Sequence, residues 1–280
     1  MSENLWLAKL WPMSLSDAYN ASDELFGEYI SSSVVKCTNS ETEWCLEIVS
    51  DEKIYRSDNI LFKNAEHFSC EPIPDIDWLV KCFENFKPIT VGRFFIYGSH
   101  SRVTSNEKDK ICLQIDAANA FGSGEHPTTQ GCLKAIQAYF NPAKHIQALD
   151  LGCGSCILGM ALAKLGCKKV FAYDNDPAAI SVSQFNIENN KVKHSISVHQ
   201  NKSTEFTIRK YDIIVANILA KPLISLADSI SSCLKPDGLV ILSGFTESQR
   251  EVEATYLKLG LKKIKDIQID EWITSIFTTH

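Results

Sequence analysis

The rhythm of apolar and polar positions changes once along the chain. Residues 4–10 read as a strand, 15–30 as a helix opened by Ser14 or Ser16, 33–38 and 43–49 as two short strands, and 57–67 as a second helix. That β-α-β-β-α run is a small α+β module, ferredoxin-like if a further strand completes it. Cys70-Glu71-Pro72-Ile73-Pro74-Asp75 follows, and its two prolines disfavour regular structure, so the module is expected to end there. Residues 76–106 read as a connecting segment, with a short aromatic helix carrying Trp78, Phe83 and Phe86 and then a strand around Phe94 to Tyr97.

From about residue 110 strands and helices alternate, the pattern of a mostly parallel sheet covered by helices. A helix over Pro127–Phe140 puts Leu133, Ile136 and Phe140 on one face. The strand Ile146–Leu151 runs into Gly152-Cys153-Gly154-Ser155 and a helix stopped by Gly166. The strand Lys169–Tyr173 ends at Asp174, and Asp176 can cap the next helix with Pro177 at its first position. Strands are expected near 196–199, 211–216 and 239–243, and Thr246 with Gln249 makes a capping box for a helix that stops at Gly260. Two strand-like runs, Lys263–Ile269 and Trp272–Phe277, close the chain without a helix between them, which predicts an antiparallel hairpin at the sheet edge. A plain dinucleotide-binding sheet does not usually finish that way.

The 280 residues are 45% apolar and 22% charged, an ordinary globular composition long enough for a large core without metal or disulfide staples. Acidic residues outnumber basic ones by 34 to 28, which argues against direct binding of nucleic acid, whose phosphates attract a basic surface. No apolar run reaches the ~18 residues of a membrane span, and Met1–Leu10 lacks a signal-peptide core, so a cytoplasmic protein is expected. The ten cysteines lie scattered in apolar stretches and read as reduced, buried thiols. Cys153 and Cys156 form one CxxC, but no second cysteine pair or paired histidine supplies the ligands zinc would need, so no metal site is assigned.

The run Ala148-Leu149-Asp150-Leu151-Gly152-Cys153-Gly154 is the densest local signal. A buried strand feeding a glycine turn at a helix start points backbone N–H groups and the helix dipole at a ligand. Asp174, at the end of the next strand, can accept both hydroxyls of an adenosine ribose. A dinucleotide site wants a third glycine, and Ile157 stands there, so the spacing suits S-adenosylmethionine, which has no pyrophosphate to seat. Asn217 ends the strand in Tyr211-Asp212-Ile213-Ile214-Val215-Ala216-Asn217-Ile218-Leu219-Ala220, where open α/β sheets place ligands, and its amide carbonyl can accept from an amine nucleophile.

Together with Ala120-Phe121-Gly122-Ser123-Gly124-Glu125-His126-Pro127-Thr128-Thr129, these residues resemble the ribosomal protein L11 methyltransferase family. The resemblance runs over residues 75–280 and takes in Asp77-Trp78, Phe86-Lys87-Pro88, the H-P-T-T and GCGS loops, Asp174-Asn175-Asp176-Pro177, N-I-L-A, Leu242-Ser243-Gly244 and Glu271-Trp272. It implies a class I methyltransferase α/β fold over residues 109–280, a connecting segment over 71–108, and a ferredoxin-like substrate-recognition domain over 1–70. It also implies a monomer that methylates lysine side chains, and the N-terminal amine, of L11. Carried over by position, the cofactor contacts fall on Thr129, Gly152, Asp174 and Asn217, with Phe121 packing nearby and Asn217 the catalytic residue.

Four positions depart from the family pattern. Ser123 and Glu125 stand in a loop that usually reads G-T-G-T-H, and Glu125 adds a negative charge beside a cationic sulfonium. Cys156 replaces the last glycine of G-C-G-S-G, reducing backbone freedom there, and Lys87 stands where histidine is common. His126 is expected to order its loop rather than act as a base, because Pro127 follows it. Other readings stay open: a lysine methyltransferase for a different protein, a non-catalytic cofactor-binding module, a nicotinamide oxidoreductase, and a thiol switch at the CxxC.

Overall fold

Alternating burial along Trp6–Met13 makes that segment a strand, β1, with Ala8 and Leu10 turned into a core. The computed structural model describes residues 6–25, 28–29, 31–37, 42–72, 87–99, 101, 107, 109–116, 123–200 and 205–279. By its contacts the chain divides into two compact units, residues 1–78 and 79–280.

In the first unit α1 (Leu15–Glu24) starts where the Ser14 hydroxyl accepts the Asp17 amide at 3.1 Å, and β2 (Ser31–Lys36) and β3 (Trp44–Ser50) follow. After α2 (Ile60–Asn64) comes β4 (His67–Pro72). The sheet order is β2-β3-β1-β4 with every pair antiparallel, and Leu10, Leu46, Ile48 and Phe62 fill the core. This is the ferredoxin-like topology, completed by the strand the sequence left open. Both helices are shorter than their patterns predicted, and β4 occupies residues read as an irregular boundary. Its Pro72 is tolerated because β4 is an edge strand and Pro72 is its last residue, so no central ladder bond is lost.

The second unit opens with a three-stranded sheet of β5 (Ile89–Val91), β6 (Phe94–Tyr97) and β7 (Ile111–Gln114), β6 pairing antiparallel to β5 and parallel to β7. The aromatic helix expected around Trp78–Phe86 lies outside the described residues. Next come α3 (Pro127–Tyr139), β8 (Gln147–Leu151), α4 (Ile157–Lys164), β9 (Lys169–Asp174), α5 (Pro177–Asn189) and β10 (Ile196–Gln200). The chain continues through β11 (Tyr211–Asn217), α6 (Ala220–Ser225), α7 (Ala227–Cys233), β12 (Leu234–Thr246) and α8 (Glu251–Lys258), and closes with β13 (Lys262–Ile269) and β14 (Trp272–Thr278).

The seven strands run in the order β10-β9-β8-β11-β12-β14-β13, parallel except for β14, which is antiparallel to both β12 and β13. The terminal hairpin expected from the sequence therefore forms, with its second strand inserted inside the sheet and its first strand left at the edge. Lys262, Lys263 and Lys265 sit on that edge strand, a charge pattern that opposes pairing with another chain. Strand residues 148–151 are continuously buried because helices cover both faces of the sheet. Leu133, Ile136, Met160 and Ile187 pack one face from α3, α4 and α5, while Leu223, Ile230 and Tyr256 pack the other from α6, α7 and α8. The short helices α6 and α7 had no counterpart in the sequence reading.

Candidate active site

Register places three side-chain positions in one row. Leu151 of β8 pairs with Tyr173 of β9 on one side and with Ala216 of β11 on the other. Gly152, Asp174 and Asn217 are each the next residue, so a turn, a carboxylate and a carboxamide leave the carboxyl edge of three adjacent strands together. That edge is where open α/β sheets bind ligands.

Backbone bonds fix the turn. The amides of Gly152 and Cys153 both donate to the Tyr173 carbonyl, at 2.8 and 3.0 Å. Gly152 has φ +69°, and a Cβ there would lie 2.2 Å from Ile218 Cγ2. Gly244, with φ +100°, approaches the same residue from the far side, where a Cβ would stand 2.1 Å from the Ile218 carbonyl oxygen. Ile218 is thus wedged between two glycines, and the wedge sets the backbone immediately after Asn217.

Asp174 is half-buried, and both of its oxygens accept from main chain. Gly154 N–H donates to Oδ2 at 2.8 Å and Asp176 N–H to Oδ1 at 3.0 Å. Burial pushes its pKa above the ordinary carboxylate value, while the two amides hold it down. Asp176 caps α5 by accepting the Ala178 amide at 2.8 Å, with Pro177 at the first helical position.

Asn217 and Thr129 meet. Thr129 is fully buried one turn into α3, and Asn217 Nδ2 donates to its hydroxyl at 3.3 Å. Asn217 Oδ1 is itself buried and has no hydrogen-bond partner among the described residues. A buried acceptor without a donor is rare in folded proteins and marks where a ligand donor belongs. Phe121, the remaining predicted contact, lies outside the described residues.

His126 caps α3. Its Nδ1 accepts the Thr128 amide at 3.3 Å, and its ring meets Trp272 edge-on with centroids 4.8 Å apart. Burial lowers its pKa to about 4, so the ring is neutral at physiological pH and suited to ordering the helix start.

Cys156 takes φ +63° at the start of α4, the left-handed conformation glycine would hold without strain. Cys153 and Cys156 are both buried, and their mutual hydrogen bond together with burial holds the Cys153 thiol well above its usual range. Thiols in that condition are inert rather than reactive.

Two groups of residues around the turn were not singled out in the sequence. Asp150 is 1% exposed, and its Oδ2 accepts the Gly159 amide at 2.7 Å, tying the end of β8 to the first turn of α4. Burial raises its pKa to about 7. An acid inside a continuous apolar strand was the available signal. Asn190, the C-cap of α5, reaches across to Gln114 of β7, and Asn186, one turn earlier, to Asp116 two residues past that strand.

The family model described as Ribosomal protein L11 methyltransferase (PrmA) matches residues 20–280. The ribosomal protein L11 methyltransferase of Rhizobium leguminosarum bv. trifolii is 42% identical over 221 residues, covering 77% of this chain and 75% of the relative. That of Brucella suis is 41% identical over 211 residues, covering 74% of each. A crystal structure of ribosomal protein L11 methylase from Lactobacillus delbrueckii subsp. bulgaricus is 28% identical and aligns with TM-score 0.64 over 70% of this chain and 100% of that one.

Proposed function

The chain belongs to the ribosomal protein L11 methyltransferase family, and from that premise we propose that it transfers methyl groups from S-adenosylmethionine to amino groups of ribosomal protein L11. The observation that carries the reading is the unpartnered Asn217 Oδ1 at the end of β11, in one row with the Gly152 turn and the Asp174 carboxylate.

The residues fit the cofactor. Gly152 and Gly154 put no side chain at two positions of the turn, Asp174 would accept from the ribose hydroxyls, and Thr129 and Asn217 would hold the far side. When bound, S-adenosylmethionine supplies a methyl group on a cationic sulfur, already a strong electrophile.

The protein's own task is therefore to position and neutralise the amine. A free lysine has a pKa near 10.4, so holding it neutral at pH 7 costs about 5 kcal/mol. Apolar walls lower that cost by disfavouring the ammonium form, and Ile218 and Leu219 supply them beside Asn217. Asn217 Oδ1 accepts an N–H of the neutral amine and so aims its lone pair. The proton lost beforehand goes to water; neutral His126 is engaged in capping α3. The first unit, residues 1–78, recognises the substrate and the second, 79–280, carries out the transfer, in a cytoplasmic monomer.

Asn217→Ala is expected to lower turnover about 10²-fold, the scale of misplacing a reacting group, a loss well beyond any weakening of S-adenosylmethionine binding, while the melting temperature stays near wild type. Steady-state methylation of purified L11, with calorimetric titration of the cofactor, checks both. A variant that methylates L11 at the wild-type rate removes Asn217 from the chemistry.

A further inference from the structure

Asn186 is fully buried on α5, and its amide is used at both ends by main chain. Its Oδ1 accepts the Asp116 amide at 2.9 Å, and its Nδ2 donates to the Ser155 carbonyl at 3.1 Å. Ser155 belongs to the glycine turn. Asp116 lies two residues past the end of β7. The helix holding Asn186 is itself tied at its first turn to Asp174 through the Asp176 amide. One side chain therefore joins the turn after β8, the helix after β9 and the main chain just past β7.

Asn190, four residues on and the C-cap of α5, supplies an internal control. Its Oδ1 accepts the Gln114 amide at 3.0 Å and its Nδ2 donates to the Gln114 carbonyl at 2.7 Å, so it pairs with β7 as a neighbouring strand would. It grips the same segment but makes no hydrogen bond to the turn.

We propose that Asn186 is a positioning residue for the cofactor site, tying the Gly152–Ser155 turn to the main chain at Asp116 and to α5 so that the turn is held where the ligand meets it. The proposal rests on the reading that this site binds S-adenosylmethionine. A buried amide satisfied at both ends has one orientation, and losing either bond leaves a buried main-chain group unpaired. The loss reaches the ligand only through Ser155, because Asn190 still holds β7.

The test compares Asn186→Leu and Asn186→Asp with Asn190→Leu in the full chain. Asn186→Asp keeps the acceptor for Asp116 and removes the donor to Ser155. Each variant is titrated calorimetrically with S-adenosylmethionine, amide exchange at Asp116 is followed with and without the cofactor, and L11 methylation gives KM and kcat. Both Asn186 variants are expected to weaken cofactor binding and raise its KM about tenfold, the scale of one lost buried hydrogen bond, with kcat at saturation changed less than threefold. Slowing of Asp116 exchange by the cofactor should be lost in Asn186→Leu. Asn190→Leu should bind within about twofold of wild type even where its melting temperature falls as far. If affinity follows melting temperature equally in both positions, the role is merely structural and the proposal is wrong. Wild-type protein that binds no S-adenosylmethionine would overturn the functional reading beneath it, a result separable from any difference between variants.

Discussion

At the scale of single residues, Asp174 and Cys156 each couple a side chain to a constrained stretch of main chain. Asp174 spends both oxygens on the amides of Gly154 and Asp176, so the carboxylate is held rigidly at the end of β9 before any ligand arrives. Asp174→Ala is expected to weaken S-adenosylmethionine binding by about 1–3 kcal/mol, from ribose hydroxyls left without an acceptor and a looser turn; calorimetric titration measures it, and unchanged affinity contradicts the placement. Cys156 sits at φ +63° with its thiol buried, so the backbone cost and the packing gain can be separated. Both Cys156→Ala and Cys156→Gly lose the sulfur, but only glycine relieves the left-handed backbone. Cys156→Gly should therefore be more stable than Cys156→Ala by about 1 kcal/mol, the reverse of the usual order in a helix. Denaturant melts of the pair decide it.

At the scale of elements, Asp150 couples a strand to a helix. Its carboxyl is raised to about 7 by burial, against about 3.9 for an unfolded aspartate. The folded state thus holds the proton more tightly, so the Asp150 contribution is complete below about pH 4 and is lost as pH rises through about 7. Asp150→Asn keeps an acceptor for the Gly159 amide and removes the titration. Its melting temperature should fall less than that of wild type between pH 5 and 8, and parallel curves would show that Asp150 does not titrate there.

The same scale shows what the sequence made legible. Strand ends bearing Gly152, Asp174 and Asn217 could be read because punctuation and periodicity agree there, and the caps at Asp176 and Thr246 stand where their spacing predicts. The strand β4 was hidden by Pro72, whose missing N–H matters only in a central strand. The helices α6 and α7 were hidden by Pro222 and a serine-rich run that blurs the helical period. Asn186 and Asn190 read as an ordinary polar helix face, because their partners lie about 70 residues away in the chain, on and just after β7.

At the scale of the whole molecule, an acidic chain with no membrane-length apolar helix among its described residues carries a ferredoxin-like unit and a seven-stranded α/β unit. The family match reaches back to residue 20, well into the first unit, whereas the recognisable motifs begin near residue 75. Sequence signal is densest at the turns and strand ends of the candidate site, where close approach of main chain to a ligand leaves room for few residue types. The first unit's sheet is constrained mainly by its hydrophobic alternation, and alternation is shared by many folds. The two units accordingly differ in how much of their role could be read from motifs alone.

The most direct measurement is the intact mass of purified, unmethylated L11 after incubation with this protein and S-adenosylmethionine. Stepwise methyl-sized increments are predicted, mapping to lysine side chains or the N-terminal amine and nearly abolished with Asn217→Ala. L11 that stays at its starting mass while the protein binds S-adenosylmethionine normally would contradict the account.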